Sequence, residues 1–400
     1  MRVLMISDVY FPRVNGVSTS IQTFARELLA KGHRVTLIAP DYGEPWEEPF
    51  EIIRIPSRYL PLDPEDRIMR VRQLRRHRRA LAARGFDLVH IQTPFIAHYT
   101  GLGLARRLGV PVVASYHTFF EQYFDKYVKF VPPAWLRFVA RHYSAAQCND
   151  VDGLVVPSHA MLRILRGYGV ETPAQVIPTG IEFEQFRRGD GRGFRARYGI
   201  PPERPVLVHV GRIAFEKNID FLLRVLVAVK AQVPDVLLIV AGEGPARRPL
   251  QAMAEQLGLA EQVRFLGYLS RNGPLEDCYS AGDVFIFASR TETQGLVVLE
   301  ALALGIPVVS TAVMGTREVL VEGRGSLIAE EEEADFAAKV VRLLRDPTLR
   351  RQLARAAQQY AQEWSAPALA EQMLALYGKV LARREGPQPI AMATADEPKL

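Results

Sequence analysis

A chain of 400 residues with 48% apolar content has material for two or three domains with substantial cores. No apolar run reaches the ~18 residues of a membrane span, and the opening Met1-Arg2-Val3-Leu4-Met5-Ile6-Ser7 is too short an apolar run for a secretory leader. Cys148 and Cys278 lie far apart with no metal-ligand spacing, which fits a reducing cytoplasm best.

Strand, loop and helix recur in that order along the chain. Val3–Ile6 reads as a strand, a loop runs to Gly16, a helix spans about Ser18 to Lys31 and closes at Gly32, and Val35–Ala39 is the next strand. From Arg67 to Arg79 the chain places seven arginines (Arg67, Arg70, Arg72, Arg75, Arg76, Arg78, Arg79) and no acid, whereas Glu330 to Glu333 is an acidic run within a net charge of +6. Such a basic block asks for nucleic acid, phospholipid or an acidic substrate; the alternative is a solvated helix face. Further strands follow at Asp87–Gln92, Val112–Ser115, Leu154–Val156 and Val176–Ile177, ending at Pro178-Thr179-Gly180. The stretch from Phe183 to Pro205, with four glycines and three prolines among arginines, reads as a linker. A second series then begins: Val206–Val210, Val236–Ala241, Val263–Phe265, Val284–Ala288 and Val308–Ser310. Near-continuous apolar strands alternating with helices predict an α/β fold of two doubly wound parallel-sheet lobes with a cleft between them. Ligands of such sheets bind at the carboxyl ends of the strands.

The most informative stretch is Ser289-Arg290-Thr291-Glu292-Thr293-Gln294-Gly295-Leu296-Val297-Val298-Leu299-Glu300-Ala301-Leu302, between a predicted strand and the stop Gly305-Ile306-Pro307. Glu292 falls in the loop above the strand and Glu300 on the following helix. The amides of Gln294, Gly295 and Leu296 open that helix, a position suited to phosphate. One carboxylate can accept from sugar hydroxyls and the other from a ribose diol; the alternative is a βα unit with two ordinary glutamates. In Gly211-Arg212-Ile213-Ala214-Phe215-Glu216-Lys217-Asn218, Arg212 offers a planar fork and Lys217 a mobile point charge, five residues apart on one loop. Ala241-Gly242-Glu243-Gly244-Pro245 is a second strand-to-helix turn. Asp150-Val151-Asp152 imitates a metal-binding pair but directly precedes a buried strand, and reads as a structural turn.

These motifs resemble the Glu-x7-Glu, Gly-Arg-x4-Lys and Gly-x-Gly-Pro elements of family four retaining glycosyltransferases, enzymes of the GT-B fold. The resemblance runs over roughly residues 1 to 380, strong in the donor half and suggestive in the acceptor half. It implies a Rossmann-like acceptor lobe at 1–185, a nucleotide-sugar lobe at 186–366, a helix at 367–384 crossing back to the first lobe, and a disordered tail at 385–400. It assigns Arg212, Lys217 and the amides at Gln294–Leu296 to the donor diphosphate, Glu300 to ribose, Glu292 to the transferred sugar with Thr293 beside it, and Gly211, Gly244 and Tyr268 to the nucleotide. In Phe11-Pro12-Arg13-Val14-Asn15-Gly16, Gly16 would let phosphate or acceptor approach a helix start, though many members of the family have two glycines where this chain has Asn15-Gly16. His117, at the end of the Val112 strand, would meet a donor-sugar hydroxyl; the competing reading is a structural histidine. The resemblance implies retention with no metal and no cofactor beyond the nucleotide-sugar co-substrate.

Nine aromatics lie between Phe119 and Tyr143, interleaved with Lys126, Lys129, Arg137 and Arg141 and including Trp135. With Arg70, Arg72, Arg75, Arg76 and Arg79, this mixture suits an anionic membrane surface; core packing is the competing explanation. The Tyr116-His117-Thr118-Phe119-Phe120-Glu121-Gln122-Tyr123 region most resembles bacterial enzymes that glycosylate diacylglycerol. The expectation is therefore a cytoplasmic, peripherally membrane-bound hexosyltransferase using UDP-glucose or GDP-mannose, with a lipid acceptor and no nucleic acid. A soluble or polysaccharide acceptor, a sugar-nucleotide epimerase and a non-catalytic sugar-nucleotide sensor are the alternatives.

Overall fold

The computed structural model describes residues 1–60, 63–117, 133–184, 186–271 and 273–384, without the side chains of residues 60, 63–66, 75, 78 and 133. The first lobe carries β1 (Arg2–Ile6), β2 (Arg34–Pro40), β3 (Glu51–Ile55), the hairpin β4 (Ser57–Leu60) and β5 (Asp63–Met69), then β6 (Leu88–Ile91), β7 (Val112–Ser115), β8 (Gly153–Val156) and β9 (Ala174–Val176). Seven of these strands form one sheet in the order β3-β2-β1-β6-β7-β8-β9, every pair parallel. The second lobe carries β10 (Val206–Val210), β11 (Leu237–Ala241), β12 (Val263–Gly267), β13 (Val284–Phe287), β14 (Val308–Ser310) and β15 (Ser326–Ile328). They form a parallel sheet in the order β12-β11-β10-β13-β14-β15.

Both faces of the second sheet are covered, which explains its unbroken apolar strands. Side chains alternate along β10: Val206, Val208 and Val210 enter one core, while Leu207 enters the other. In each sheet the chain reverses direction of growth beside one strand, β1 in the first lobe and β10 in the second. A crevice opens outside the carboxyl ends at such a switch point. The loops following β1, β10 and β13 therefore carry the cleft.

The stretch read as a linker is more ordered than its glycines and prolines suggest. It contains the short helix Gly191–Arg197, and Phe186, Phe194 and Ile200 are buried in the second lobe's core. Gly189 and Gly191 leave no room for a Cβ, which would meet Asp277 and Ser280 backbone at 2.4 and 2.2 Å. The glycines serve close packing rather than flexibility. The hairpin β4–β5, β3 and β15 are also not apparent from hydrophobic runs, because Glu51 and Arg54 interrupt β3 and β15 is three residues long.

The chain passes between lobes twice, and the passages are tied together. Ile181 N–H donates to the Trp364 carbonyl at 2.9 Å, and Ala366 N–H to the Ile181 carbonyl at 3.0 Å. The helix Ala366–Arg384 then buries Leu369, Met373, Leu376, Tyr377 and Val380 in the first lobe's core beside Val3, Met5 and Phe24. A Cβ at Gly153 would sit 2.7 Å from Val380, so β8 admits this helix only with glycine there. Residues 385–400 lie outside the described residues, as do Lys126, Lys129 and the aromatics from Phe119 to Phe130.

Candidate active site

A cleft of about 390 Å³ lies between the lobes, lined from the second lobe by Gly211, Arg212, Glu216, Lys217, Tyr268, Arg271 and the run 291–297 with Glu300. The first lobe contributes Arg13, Asn15, Gly16, Thr19, His117 and Thr179. The residues expected from sequence to hold a nucleotide sugar are thus brought to one space, with one exception. Gly244 does not line the cleft; its positive φ of 152° and its place under the Ile213 carbonyl, 2.3 Å from a would-be Cβ, tie the two strand-end loops to each other. Gly242 does the same against the Gly211 carbonyl.

Gly295 caps the helix Leu296–Ala303 with φ 89° and no side-chain hydrogen bond, leaving the helix start without a competing cap. A side chain at Gly295 would strike Thr316, 2.6 Å from its Cβ. The Gln294 side chain is committed to the opposite lobe: its Nε2 donates to the Thr179 carbonyl at 2.7 Å and its Oε1 accepts from Thr179 N–H at 2.7 Å. Thr293 Oγ1 likewise donates to the His117 carbonyl at 3.3 Å. Arg13 reaches from the first lobe to the Tyr268 hydroxyl at 2.8 Å, and Glu318 accepts from the His159 and Ala160 amides at 2.8 and 2.7 Å. The lobes meet through these bonds on either side of the cleft.

The charges within the cleft are paired across it. Lys217 Nζ donates to Glu292 Oε1, so the cation expected at the diphosphate and the acid expected at the sugar hold each other. Glu300 is 99% buried by side-chain area; its Oε1 accepts from Arg271 and its Oε2 from the Tyr279 hydroxyl at 2.9 Å. Burial works to lower the Arg271 pKa, but the charge of Glu300 outweighs it and the guanidinium is held above its ordinary value. Burial, then the same carboxylate, pushes the Tyr279 hydroxyl well above the usual phenol range. Arg13, Arg271 and Tyr279 belong to none of the motifs that mark the site in the sequence. Arg13 stands in the same loop as Gly16, and Arg271 follows the Gly267 turn, but only the fold shows that either faces the cleft.

On the first-lobe side, Asn15 caps the helix Gly16–Ala30 by accepting from Ser18 N–H at 2.8 Å. Nothing lies within 4 Å of a Cβ on Gly16, so its surroundings are open. His117 Nε2 lies 3.3 Å from Gln92 Oε1, and burial pushes its pKa down to about 4, leaving a neutral imidazole near pH 7. His209, on β10 beneath the Gly211–Lys217 loop, is lowered to about 4 by the same cause. Asp152 accepts from Val112 N–H at 2.7 Å, a structural strand contact. Among the described residues no group of three His, Cys, Asp or Glu side chains stands together as metal ligands.

The helix Val71–Ala82 buries Leu74 and Leu81 and exposes Arg72, Arg76 and Arg79, with Arg70 exposed at its N-terminal cap; the Arg75 side chain is outside the described ones. Arg67 belongs to β5 instead and stacks 3.6 Å from the Tyr59 ring centroid. Trp135 and Phe138, on the helix Pro133–Asn149, are 59% and 58% exposed, and Phe95 and Tyr99 lie exposed beside the start of the neighbouring helix Ile96–Leu108. Tyr143 and Gln147 fasten these two helices by donating to the Pro94 carbonyl. No helix among the described residues is long and apolar enough to cross a membrane.

A family model described as Glycosyltransferase Family 4 matches residues 14–185, and one described as Glycosyl transferases group 1 matches residues 192–360. The chain is 35% identical to an alpha-monoglucosyldiacylglycerol synthase of Streptococcus pneumoniae over 78% of this chain and 71% of that protein. It is 30% identical to a GDP-mannose-dependent alpha-mannosyltransferase of Mycobacterium tuberculosis, over 96% and 98%. Among solved structures, sucrose-phosphate synthase from Thermosynechococcus elongatus superposes with a TM-score of 0.77 at 24% identity, covering 96% of this chain and 99% of that one. A chain matched by these two models in succession, and 35% identical to an enzyme over 78% of its own length and 71% of that enzyme's, belongs to glycosyltransferase family 4 and has the GT-B fold.

Proposed function

We propose that this glycosyltransferase moves a hexose, with retention at the anomeric carbon, from a nucleoside-diphosphate sugar to a hydroxyl of a membrane lipid such as diacylglycerol. The observation that carries the donor reading is the gathering of Arg212, Lys217, Glu292, Glu300 and the uncapped start of the helix Leu296–Ala303 around one cleft. UDP-glucose and GDP-mannose are the donors to test, since one relative's name specifies a glucosyl product and the other's GDP-mannose.

In this reading the diphosphate inserts between Lys217 and Glu292. Lys217 and Arg212 then neutralise the leaving group, and Glu292 is freed to accept from the sugar's hydroxyls. Charges already fixed in a water-poor cleft stabilise a developing diphosphate anion without reorganisation at the moment of reaction. The acceptor hydroxyl attacks from the face the diphosphate leaves, and its proton passes to the departing β-phosphate oxygen. Neutral His117 serves as a hydrogen-bonding wall for the sugar and carries no net charge into the site. Two cationic side chains and helix amides take the part a metal plays elsewhere.

The lipid acceptor is supported by the exposed aromatics Phe95, Tyr99, Trp135 and Phe138, and by the exposed Arg72, Arg76 and Arg79 on a helix that packs against Ile96–Leu108. Each exposed cation near an anionic surface contributes ~1 kcal/mol, so a few suffice for reversible binding at the inner face of the cell membrane. The experiment is a donor panel incubated with diacylglycerol vesicles, with and without EDTA, and read by mass spectrometry. One hexosyl lipid, formed equally with chelator, is expected. Transfer only to soluble acceptors would remove the lipid step, and free epimerised sugar without any acceptor would point to an epimerase.

A further inference from the structure

The loop and short helix after β14 join the two lobes beside the cleft. Glu318, on the helix Thr316–Val319, sends its carboxylate into the first lobe: Oε2 accepts from His159 N–H at 2.8 Å and Oε1 from Ala160 N–H at 2.7 Å. Oε2 also faces His159 Nδ1 at 3.1 Å. These are the first two amides of the helix His159–Gly167, and Ser158 Oγ accepts from the third, Met161 N–H, at 3.3 Å. The first turn of that helix has no acid of its own, so the negative charge that answers its dipole comes from the opposite lobe. Pro157, just before this helix, lines the cleft, whereas Glu318 does not. Met314 of the same second-lobe segment packs against the first lobe's core. Met314 and Ala312 hold φ at 58° and 49°, a conformation unfavourable to residues with a Cβ that persists where surrounding contacts impose it.

The other side of the segment is packed on the turn Glu292–Gly295. Gly315 N–H donates to the Glu292 carbonyl at 2.9 Å, and a Cβ on Gly315 would lie 2.3 Å from the Thr293 carbonyl oxygen. Thr316 occupies the space a side chain at Gly295 would need. The turn that carries Glu292 and the cap supplied by Glu318 therefore move as one body.

We propose that Glu318 is a positioning residue for glycosyl transfer: by capping a first-lobe helix it sets the register of the acceptor wall against the turn Glu292–Gly295, and it lets go when the lobes part. A carboxylate on helix amides is a charge-assisted contact aligned with the helix axis, so it fixes orientation as well as distance. Water can replace it on both sides, which makes it reversible. Because Gly315 links Glu318 to the Glu292 backbone, a shift of that turn on donor binding or diphosphate release reaches the cap directly. Glu318 itself touches no reacting atom. The role rests on the nucleoside-diphosphate donor proposed above.

The test compares Glu318→Gln, His159→Pro, their double variant and Ser158→Ala in the full chain. Three quantities are read: release of nucleoside diphosphate from UDP-glucose or GDP-mannose over diacylglycerol vesicles, calorimetric affinity for UDP and GDP, and the radius of gyration by small-angle scattering. Gln keeps the length of Glu318 but loses the charge and one acceptor. Proline is favoured at the first helical position and Ser158 before it is extended, so His159→Pro deletes one amide and keeps the helix. Glu318→Gln is expected to lower turnover about tenfold to a hundredfold, as ångström-scale misplacement does, and to enlarge the radius of gyration. Nucleotide affinity is expected to stay within about threefold, since the charged groups assigned to the donor all belong to the second lobe. The double variant is expected to be no worse than Glu318→Gln, because both changes remove one contact. Ser158→Ala removes a cap within the first lobe and is expected to lower the melting temperature while turnover and radius stay at wild type.

Turnover at or above the wild-type rate in Glu318→Gln overturns the proposal, as do additive losses in the double variant. An equal loss in Ser158→Ala also overturns it, since stability of the helix would then suffice. A parallel fall in turnover and nucleotide affinity would place Glu318 in the donor site and overturn it too. Binding of neither UDP nor GDP by the wild type would remove the donor reading instead; the scattering comparison then decides alone, and equal radii for wild type and Glu318→Gln refute the cross-lobe cap.

Discussion

From the second lobe Arg212, Glu216, Lys217, Arg271, Glu292 and Glu300 reach the cleft; from the first, among the described residues, Arg13 is the charged side chain, beside Asn15, Gly16, Thr19 and a neutral His117. The difference matches the chemistry each wall would face. A departing diphosphate carries charge that must be met by fixed cations, whereas an acceptor hydroxyl arrives neutral and needs shape and hydrogen bonds. The second wall is also electrically self-contained, since Lys217 pairs with Glu292 and Arg271 with Glu300 before any ligand is considered. Such pairs limit the cost of holding four charges in a partly buried space and keep each side chain near its place of use.

The sharpest way to break this contrast is to neutralise one charge on the second wall. Glu292→Gln keeps shape and removes the acceptor expected at the sugar. Losses for single preorganised groups run to about a hundredfold to a thousandfold in turnover, and that range is expected here with little change in melting temperature. A transfer rate within twofold of wild type would remove Glu292 from the reaction.

On the outer face of the first lobe, changing Arg72, Arg75, Arg76 and Arg79 together to Ser is expected to lower affinity for anionic vesicles about a hundredfold or more, from ~1 kcal/mol per cation. Co-sedimentation would show it, while turnover on a detergent-dispersed acceptor stays near wild type. Retained vesicle binding would shift the contact to Trp135 and Phe138. A smaller effect is expected for Arg212→Ala, roughly tenfold weaker binding of nucleoside diphosphate from loss of one charge-assisted contact. Calorimetry giving equal affinity would leave the diphosphate to Lys217 and the helix start.

The same contrast explains what could be read without coordinates. The second wall is legible because its chemistry sits on short loops directly after strands, at fixed offsets: Arg212 and Lys217 after β10, Glu292 and Glu300 around the turn after β13. Parallel strands buried on both faces also announce themselves as apolar runs. Arg271 was illegible because its importance lies in a partner 29 residues later, and Arg13 because it acts on Tyr268 in the other lobe. Glycines misled where they serve packing, at Gly189, Gly191 and Gly244, since an absent side chain looks the same in a flexible linker and a tight contact. The arginine block was visible as charge, but composition could not separate Arg67, stacked on Tyr59, from the exposed arginines of the next helix.

Glu300 and Asp8, a carboxylate in the loop after β1, are held in the fold by different partners. Glu300 has a cation; Asp8 has Thr93 Oγ1 at 2.8 Å and the Ala97 amide at 3.0 Å, at the start of the helix Ile96–Leu108. Burial dominates these hydrogen bonds and raises the Asp8 pKa from 3.8 to about 6. The sign of its effect on stability follows. Below pH 4 the group is protonated in both folded and unfolded chains. As pH rises from 4 to 6 the unfolded chain releases its proton first, so this contribution to stability is lost through that window and stays lost above it. Buried His90, His117 and His209, lowered to about 3, 4 and 4, act in the opposite sense and destabilise the fold as pH falls below their unfolded value of 6.5. Asp8→Asn removes the first effect and leaves the second, so the histidines cancel when variant and wild type are compared at each pH. The variant's melting temperature is expected to rise relative to wild type by several degrees between pH 4 and pH 7, at about 2–4 °C per kcal/mol for a lobe of this size. A difference that stays flat across the window would mean that Asp8 ionises as an ordinary carboxylate and that helix amides alone can stand in for a cation.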